Sequence, residues 1–154
     1  IGEIFLRSPT SGLYNYLGGA PRLATTADGF ETAGDMGWLE PEGFLHIVDR
    51  RVDMIISGGA NVFPAEVESA LIEHPEIADV VVIGLQDPEW GRRVHAVVEA
   101  KDKAAPPTEA DVIAHAKGKL AGYKVPKTVE FVESIPRSAA TKVSRGAMVD
   151  ALGG

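Results

Sequence analysis

The stretch of residues 49–68 constrains the fold of this chain more than any other part of the sequence. Its charged beginning runs into a short apolar segment, 54–56, which is typical of a strand. The strand is expected to stop at Ser57-Gly58-Gly59, where glycine permits a tight turn and lets backbone N–H groups face outward. A helix is expected to begin at Pro64, because the missing N–H of proline costs nothing in the first helical turn. The stretch therefore predicts a strand–loop–helix unit of an α/β domain.

Composition excludes several classes of protein. The chain has 154 residues and a net charge of -7, which argues against sequence-independent binding to nucleic acid. It contains no cysteine, so disulfides, cysteine zinc sites and thiol nucleophiles are excluded. The longest apolar run, 80–85, is too short to span a membrane. We therefore expect a cytoplasmic protein with no integral membrane segment and no nucleic-acid partner.

The first third of the chain is expected to be part of something larger. Segments 4–6 and 44–48 are predicted strands, and 17–21 is a predicted loop. With so few regular elements, this region is not expected to bury a core of its own. The chain also begins with Ile1 rather than Met, which indicates a fragment. We therefore expect the β-rich tail of a larger domain.

The remainder predicts a complete small α/β (α+β) domain. Thr108 is the expected N-cap of its second helix, with Asp111 at the capping-box position, and Gly122 is expected to end that helix. The first two strands are expected to pair antiparallel, giving a three-stranded, mainly antiparallel sheet flanked by helices. The predicted elements, in chain order, are a helix 64–73, a strand 79–85, a turn 87–91, a strand 93–101, a helix from 108, a strand 128–133, a polar loop 138–141 and a helix 145–152.

Two charged residues in the first third could contact a ligand. Asp35 is flanked by glycines, so its carboxylate could approach paired ribose hydroxyls closely; the alternative is a turn aspartate bonded to its own backbone. Arg50 lies in the charged run 49–53 and offers five fixed donors for phosphate, carboxylate or vicinal hydroxyls. Its alternative is a solvated charged turn.

The second part of the chain carries three further candidates. Gly58-Gly59 could line an oxygen-binding loop or simply form a tight turn. Lys142 stands alone in a loop of small residues, where a lysine is normally a solvated cation. A looser set combines aromatic faces that could stack on a base with cations that could meet a phosphate, although its tryptophan could equally pack on the core. This set consists of Trp90, Arg92, Tyr123 and Lys127.

Metal binding is not expected. The four histidines, His46, His74, His95 and His115, lack metal-like spacing and are interpreted as structural or surface residues.

The chain resembles the acyl-CoA synthetases (fatty-acid or aryl-CoA ligases) of the adenylate-forming, AMP-binding superfamily. The resemblance rests on four features that occur in the family's order: Gly34-Asp35, the 49–68 stretch, Pro126-Lys127 and Lys142. The resemblance implies that 1–50 is the end of a large N-terminal AMP-binding domain and that 51–154 is the C-terminal domain. It implies an ATP-dependent ligase that adenylates a carboxylic acid and transfers the acyl group to CoA. ATP and Mg²⁺ are then bound mainly by the N-terminal domain, so the fragment alone is expected to be inactive.

The resemblance also implies residue roles. Asp35 and Arg50 hold the nucleotide ribose, Val52 is the hinge for domain rotation, and Lys142 is the catalytic lysine that bridges the acyl carboxylate and the α-phosphate. The residues implied to bind CoA are Ser57, Gly58 and Gly59 along the pantetheine channel, Trp90 and Tyr123 beside the adenine, and Lys127 at the phosphates. The chain departs from the family in having Ala33 where threonine is usual, Val52 where Asp or Lys is usual, and Thr141 where glycine is usual.

Two other functions stay open from the sequence. The parent protein could be an adenylation domain that loads a carrier protein. It could also be a non-catalytic module that retains the fold.

Overall fold

The computed structural model describes residues 1–9, 24–138 and 142–153. The predicted loop at 17–21 and most of the predicted loop at 138–141, including Thr141, lie outside the described residues. The chain divides into two compact units, Ile1–Val52 and Asp53–Gly154. No helix in the described ranges is long and apolar enough to cross a membrane.

The first unit contains a small antiparallel sheet. Its strands are β1 (Gly2–Glu3), β2 (Asp35–Leu39) and β3 (Leu45–Arg50), in the order β1-β2-β3. The strand predicted at 4–6 is wrong, because pairing with β2 ends at Glu3 and Leu6 forms only an isolated bridge to Glu31. Strand β2 was not predicted. Its backbone passes so close to β3 that a Cβ on Gly37 would collide with the His46 carbonyl oxygen, and a glycine at that point weakens the strand pattern.

The second unit is built around two long strands. Strands β6 (Ile77–Asp87) and β7 (Gly91–Ala100) pair antiparallel, and β8 (Thr128–Val132) joins β7 in parallel. This confirms the predicted fold class of a mainly antiparallel three-stranded sheet with helices. The apolar run in β6 is buried on both faces, since Val80 and Val82 belong to one core cluster while Val81 and Ile83 belong to a second.

Helices cover both faces of this sheet. Helix α1 (Pro64–Leu71) and helix α2 (Glu109–Lys117) pack in the first core cluster, and helix α3 (Arg145–Ala151) packs in the second. The predicted capping box is confirmed, because Thr108 accepts from the Asp111 N–H and Asp111 accepts from the Thr108 N–H. The prediction that Gly122 ends α2 is wrong: Gly118 caps the helix, and Gly122 begins a separate 3₁₀ turn, Gly122–Lys124.

A short hairpin precedes α1. Strand β4 (Ile55–Ser57) pairs antiparallel with β5 (Ala60–Val62), and Ser57 lies opposite Ala60. The expected strand–loop–helix was therefore incomplete, since β5 lies between the glycine turn and the helix. Three residues are too few to show the alternation that predicts a strand. The hairpin presents Gly58 and Gly59 at its tip, where a candidate site was expected.

Candidate functional site

Asp35 and Arg50 are brought together at one end of the first unit. They lie opposite each other on β2 and β3, and Arg50 Nε is 3.7 Å from Asp35 Oδ1. Arg50 also donates to the Ala33 carbonyl oxygen at 3.4 Å. The Arg50 side chain is 61% exposed and that of Asp35 is 35% exposed, so both can still reach a ligand. The pair presents a carboxylate acceptor beside a guanidinium donor, which suits vicinal hydroxyls.

The turn before Asp35 is fixed by Thr32 rather than by residue 33. The Thr32 hydroxyl accepts from the Gly34 N–H at 3.0 Å, and Thr32 is only 5% exposed. Gly34 adopts φ +81, and its carbonyl accepts from the Arg51 N–H at 2.7 Å. Thr32 therefore stabilises the turn with a buried hydroxyl, and Ala33 offers no hydroxyl in its place.

The glycine pair forms the two-residue turn of the β4–β5 hairpin. Gly58 has φ +56 and Gly59 has φ +79, as expected for a type I′ hairpin turn. The Gly58 N–H does not face outward, because it donates to the Trp90 carbonyl oxygen at 2.9 Å. Ser57 is 3% exposed, so a ligand at the surface of this turn would meet the glycine backbone rather than the Ser57 hydroxyl.

Trp90 joins this turn to Lys127. A Cβ on Gly58 would lie 2.7 Å from Trp90 Cε3, so the indole packs directly on the glycine backbone. The backbone N–H of Trp90 donates to Asp87 Oδ1 at 3.0 Å. Lys127 Nζ lies 4.7 Å from the centroid of a Trp90 ring. The structure therefore brings together three of the residues implied to bind CoA, namely Gly58, Trp90 and Lys127.

Tyr123 lies in the 3₁₀ turn that packs beside β5. Its side chain is 44% exposed, and Lys124 Nζ lies 5.6 Å from its ring centroid. Lys124 also donates to both carboxylate oxygens of Glu66 on α1, at 2.5 and 2.7 Å. This hydrogen-bonded pair raises the pKa of Lys124. The 3₁₀ turn is thereby fastened to α1 and holds Tyr123 at the surface.

Lys142 is exposed and lies three residues before α3. Its N–H donates to Ser138 Oγ at 3.2 Å, and its carbonyl accepts from the Ser138 N–H at 2.9 Å. These two hydrogen bonds hold the ends of the 138–142 segment together. Lys142 is therefore displayed at the surface on a segment whose base is fixed.

Three ion pairs, made by arginines that lie on either side of Lys142 in the sequence, were missed by sequence reasoning. Arg145 pairs with Glu68 at 2.8 Å and with Asp53 at 3.4 Å, while Arg137 pairs with Asp79 at 2.6 Å. The partners of these arginines are 58 to 92 residues away along the chain. No local pattern signals contacts of such separation.

Val52 is the last residue of the first unit and is 80% exposed. No group of three or more His, Asp or Glu residues in the described parts of the chain could hold a metal ion. No ligand of Mg²⁺ is assigned among the described residues.

Comparison with known proteins places this chain in a family. The profile of the AMP-binding enzyme C-terminal domain matches residues 66–142. The chain belongs to the AMP-binding enzyme C-terminal domain family. The match runs from Glu66 in α1 to Lys142, and so spans the Trp90 turn, the 3₁₀ turn and the lysine itself.

Individual relatives of this AMP-binding domain extend the match across both units. A 2-succinylbenzoate–CoA ligase from Bacillus licheniformis is 41% identical over 145 residues, which cover 94% of this chain and 30% of that protein. An o-succinylbenzoate CoA synthetase from Bacillus subtilis, solved with an acyl-adenylate intermediate, has a TM-score of 0.74 at 39% identity, covering 80% of this chain and 25% of that one. A fatty acyl CoA synthetase from Mycobacterium tuberculosis has a TM-score of 0.67 at 40% identity, covering 82% and 25%. The chain thus spans less than a third of the length of these relatives.

Proposed function

We propose that the protein containing this chain is an ATP-dependent acid–CoA ligase. The observation that carries the proposal is the 41% identity to a CoA ligase over 94% of the chain. In the first half-reaction, an oxygen of the substrate carboxylate attacks the α-phosphorus of ATP and pyrophosphate leaves. In the second, the CoA thiol attacks the acyl carbon, AMP leaves and the thiol proton is released. Mg²⁺ is proposed to accompany ATP, bound by parts of the protein other than the described residues.

Lys142 is the proposed catalytic residue of the adenylation step. Negative charge develops between two anions, the carboxylate and the α-phosphate, and a nearby ammonium lowers the energy of that arrangement. The ammonium of Lys142 suits this role because it is exposed and its backbone is fixed at Ser138. The lysine side chain is long and flexible, so its ammonium can stabilise the transition state without being held in one geometry in the product complex.

Asp35 and Arg50 are the proposed nucleotide contacts. The carboxylate accepts from the ribose hydroxyls, and the guanidinium beside it orients the carboxylate and donates to the ligand. Their facing positions on β2 and β3 support this assignment, because one rigid strand pair holds both groups.

The surface around the hairpin tip is the proposed CoA side of the second unit. A Cβ on Gly59 would meet nothing within 4 Å, so the thin pantetheine arm can pass close to the backbone there, whereas Gly58 contributes through the turn because Trp90 packs where its Cβ would lie. Trp90 and Tyr123 supply aromatic faces for the adenine, and Lys127 is an exposed cation for the phosphates. Ser57 contributes through its position in β4, since its side chain is buried.

We also propose that the two units correspond to the end of a larger N-terminal domain and to a complete C-terminal domain, with rotation at Val52. Exposed apolar side chains on the first unit support this division, because apolar groups exposed together are normally covered. Leu39, Leu45 and Ile47 share one face of the β2–β3 pair, Trp38 lies on the other face, and Phe44 lies just before β3. The proposed compartment is the cytoplasm, where ATP and CoA are both available.

The intact protein with ATP, CoA and a panel of acids, including 2-succinylbenzoate and a long-chain fatty acid, tests the proposal. We expect pyrophosphate release that depends on one acid class, followed by formation of the acyl-CoA. Pyrophosphate release without acyl-CoA, but with loading of a carrier protein, would replace CoA by a carrier as acceptor. No acid-dependent release would remove the ligase function and leave a non-catalytic module.

Lys142→Ala separates the two half-reactions. Adenylation should fall far more than thioester formation from a supplied acyl-adenylate, because only the first step needs the cation between two anions. Lys119→Ala is the matched control, since Lys119 is a lysine of the same unit that pairs with Glu73 in an exposed ion pair. Equal losses in both half-reactions would contradict the role of Lys142.

A further inference from the structure

The segment carrying Lys142 is followed by an ion-pair network that connects three elements. Arg145 Nη2 donates to Glu68 Oε1 at 2.8 Å and to Oε2 at 3.0 Å, and Arg145 Nη1 donates to Asp53 Oδ2 at 3.4 Å. One guanidinium nitrogen thus donates to both oxygens of Glu68 and the other donates to Asp53, and hydrogen bonds between ionised partners such as these are among the strong ones. The three side chains are 20% to 23% exposed, so solvent screens this network less than a surface pair.

Glu68 extends this network into the sheet. Its Oε1 also accepts from the Val82 N–H at 2.8 Å, so one carboxylate of α1 is fixed to β6 and to Arg145. Asp53, the other partner, is the first residue of the second unit. Arg145 therefore ties the start of α3 to α1, to β6 and to the residue that directly follows the unit boundary.

Apolar packing on both sides of the 138–142 segment also restrains it. Val143 and Met148 pack in the second core cluster with Ile135, which lies on the other side of the 138–142 segment. The Ser138–Lys142 hydrogen bonds close the base between them. With Val143 packed and Arg145 paired, the backbone of Lys142 has little freedom to shift.

We propose that Arg145, held by Glu68 and Asp53, is a positioning residue for Lys142 in adenylation. This inference rests on the proposed ligase function. Arg145 does not act on the substrate itself. It fixes the backbone of Lys142, so that the ammonium is already placed to contact the α-phosphate when ATP binds. A misplacement of about 1 Å by a remote change can cost about a hundredfold in rate.

Arg145→Gln in the intact protein is the first test. Adenylation should fall about tenfold to a hundredfold in kcat, with little change in the KM for ATP. Thioester formation from a supplied acyl-adenylate should be retained. On a Lys142→Ala background, Arg145→Gln should cause no further loss, because a residue that acts only through Lys142 has nothing left to position.

Glu68→Gln is the second variant, and it tests the same contact if Arg145→Gln fails to fold. Glutamine keeps the carbonyl oxygen that accepts from Val82 but removes the charge that holds Arg145. It should reproduce the split between half-reactions, and Arg145→Lys should recover part of the loss. Lys119→Gln removes an exposed ion pair of the same unit and should leave both half-reactions unchanged.

Hydrogen exchange of the Ser138 and Lys142 amides gives a readout that does not depend on activity. Both should exchange faster in Arg145→Gln than in the wild type, because the base of the segment loosens. Unchanged exchange overturns the inference, and so do equal losses in both half-reactions or further loss on the Lys142→Ala background. An inactive wild-type protein with faster exchange in the variant would instead refute the ligase function while supporting the anchoring of Lys142.

Discussion

Replacing Gly58 by alanine should destabilise the second unit through two separable effects. Gly58 has φ +56, a conformation in which a Cβ is strained, and its Cβ would lie 2.7 Å from Trp90 Cε3 and 3.0 Å from Cζ3. Gly59, its neighbour in the same turn, has φ +79, and a Cβ there would meet nothing within 4 Å. Gly59→Ala is therefore a control that carries the backbone strain without the contact.

The size of each effect follows from these contacts. An L-residue in the left-handed region costs about 1–2 kcal/mol, which is all that Gly59→Ala should lose. Overpacking against a held side chain adds about 1–3 kcal/mol. Trp90 offers such a contact, because its backbone is held by two hydrogen bonds and its ring lies between the Gly58 backbone and the Lys127 ammonium. Gly58→Ala should therefore lose about 2–5 kcal/mol in total.

Urea unfolding followed by far-ultraviolet circular dichroism measures both losses by linear extrapolation. Trp90→Ala provides the third corner of a double-mutant cycle. On that background, the cost of Gly58→Ala should fall to the cost of Gly59→Ala, because the colliding ring is gone. If Gly58→Ala and Gly59→Ala cost the same in the presence of Trp90, the contact between the indole and the hairpin tip does not limit this turn.

Three further substitutions have defined outcomes. Burial lowers the pKa of His95 from its usual 6.5. The unfolded chain then binds the proton first, and the unfolding free energy should fall below about pH 6.5 by up to about 1.4 kcal/mol per pH unit. His95→Gln should flatten that slope in urea titrations across this range. Thr108→Ala removes the hydroxyl that caps α2 and should cost about 1 kcal/mol in the same unfolding assay. Arg50→Lys in the intact protein keeps the charge but loses the planar fork, and it should raise the KM for ATP about tenfold, as expected when a hydrogen bond to a charged group is lost; an unchanged KM would remove Arg50 from the nucleotide site.

The sheet of the second unit could be predicted from sequence because its strands carry long signals. The buried run in β6 is continuous, the Asp87–Gly91 turn follows it, and Val94 to Val98 supply the apolar partner strand. Short elements were not predicted correctly, because their sequence signals are short or ambiguous. Strand β5 has three residues, and the end of α2 is set by Gly118 rather than by the more conspicuous Gly122.

The candidate residues could be named from sequence, but their surroundings could not. Asp35 and Arg50 are 15 positions apart in the numbering and meet only because β2 and β3 pair in register. The pairing of Arg145 with Glu68 depends on helix α3 packing over the sheet, which no local pattern encodes. Sequence identified the groups that could act, whereas the contacts that fix them are set by tertiary structure.

The contact between Trp90 and Lys127 is compatible with the proposal that both residues bind CoA. The Lys127 ammonium lies over a Trp90 ring at 4.7 Å, and an exposed cation–π contact of this kind contributes about 0.5–1 kcal/mol. Stacking of a base on an aromatic side chain contributes about 1–3 kcal/mol. In the proposed CoA site, an adenine that took the place of Lys127 over the indole would therefore gain more than is lost, and the displaced ammonium would become available to a phosphate. Because the Gly58 backbone fixes the indole, this exchange needs no movement of the turn, and only the lysine side chain has to rearrange.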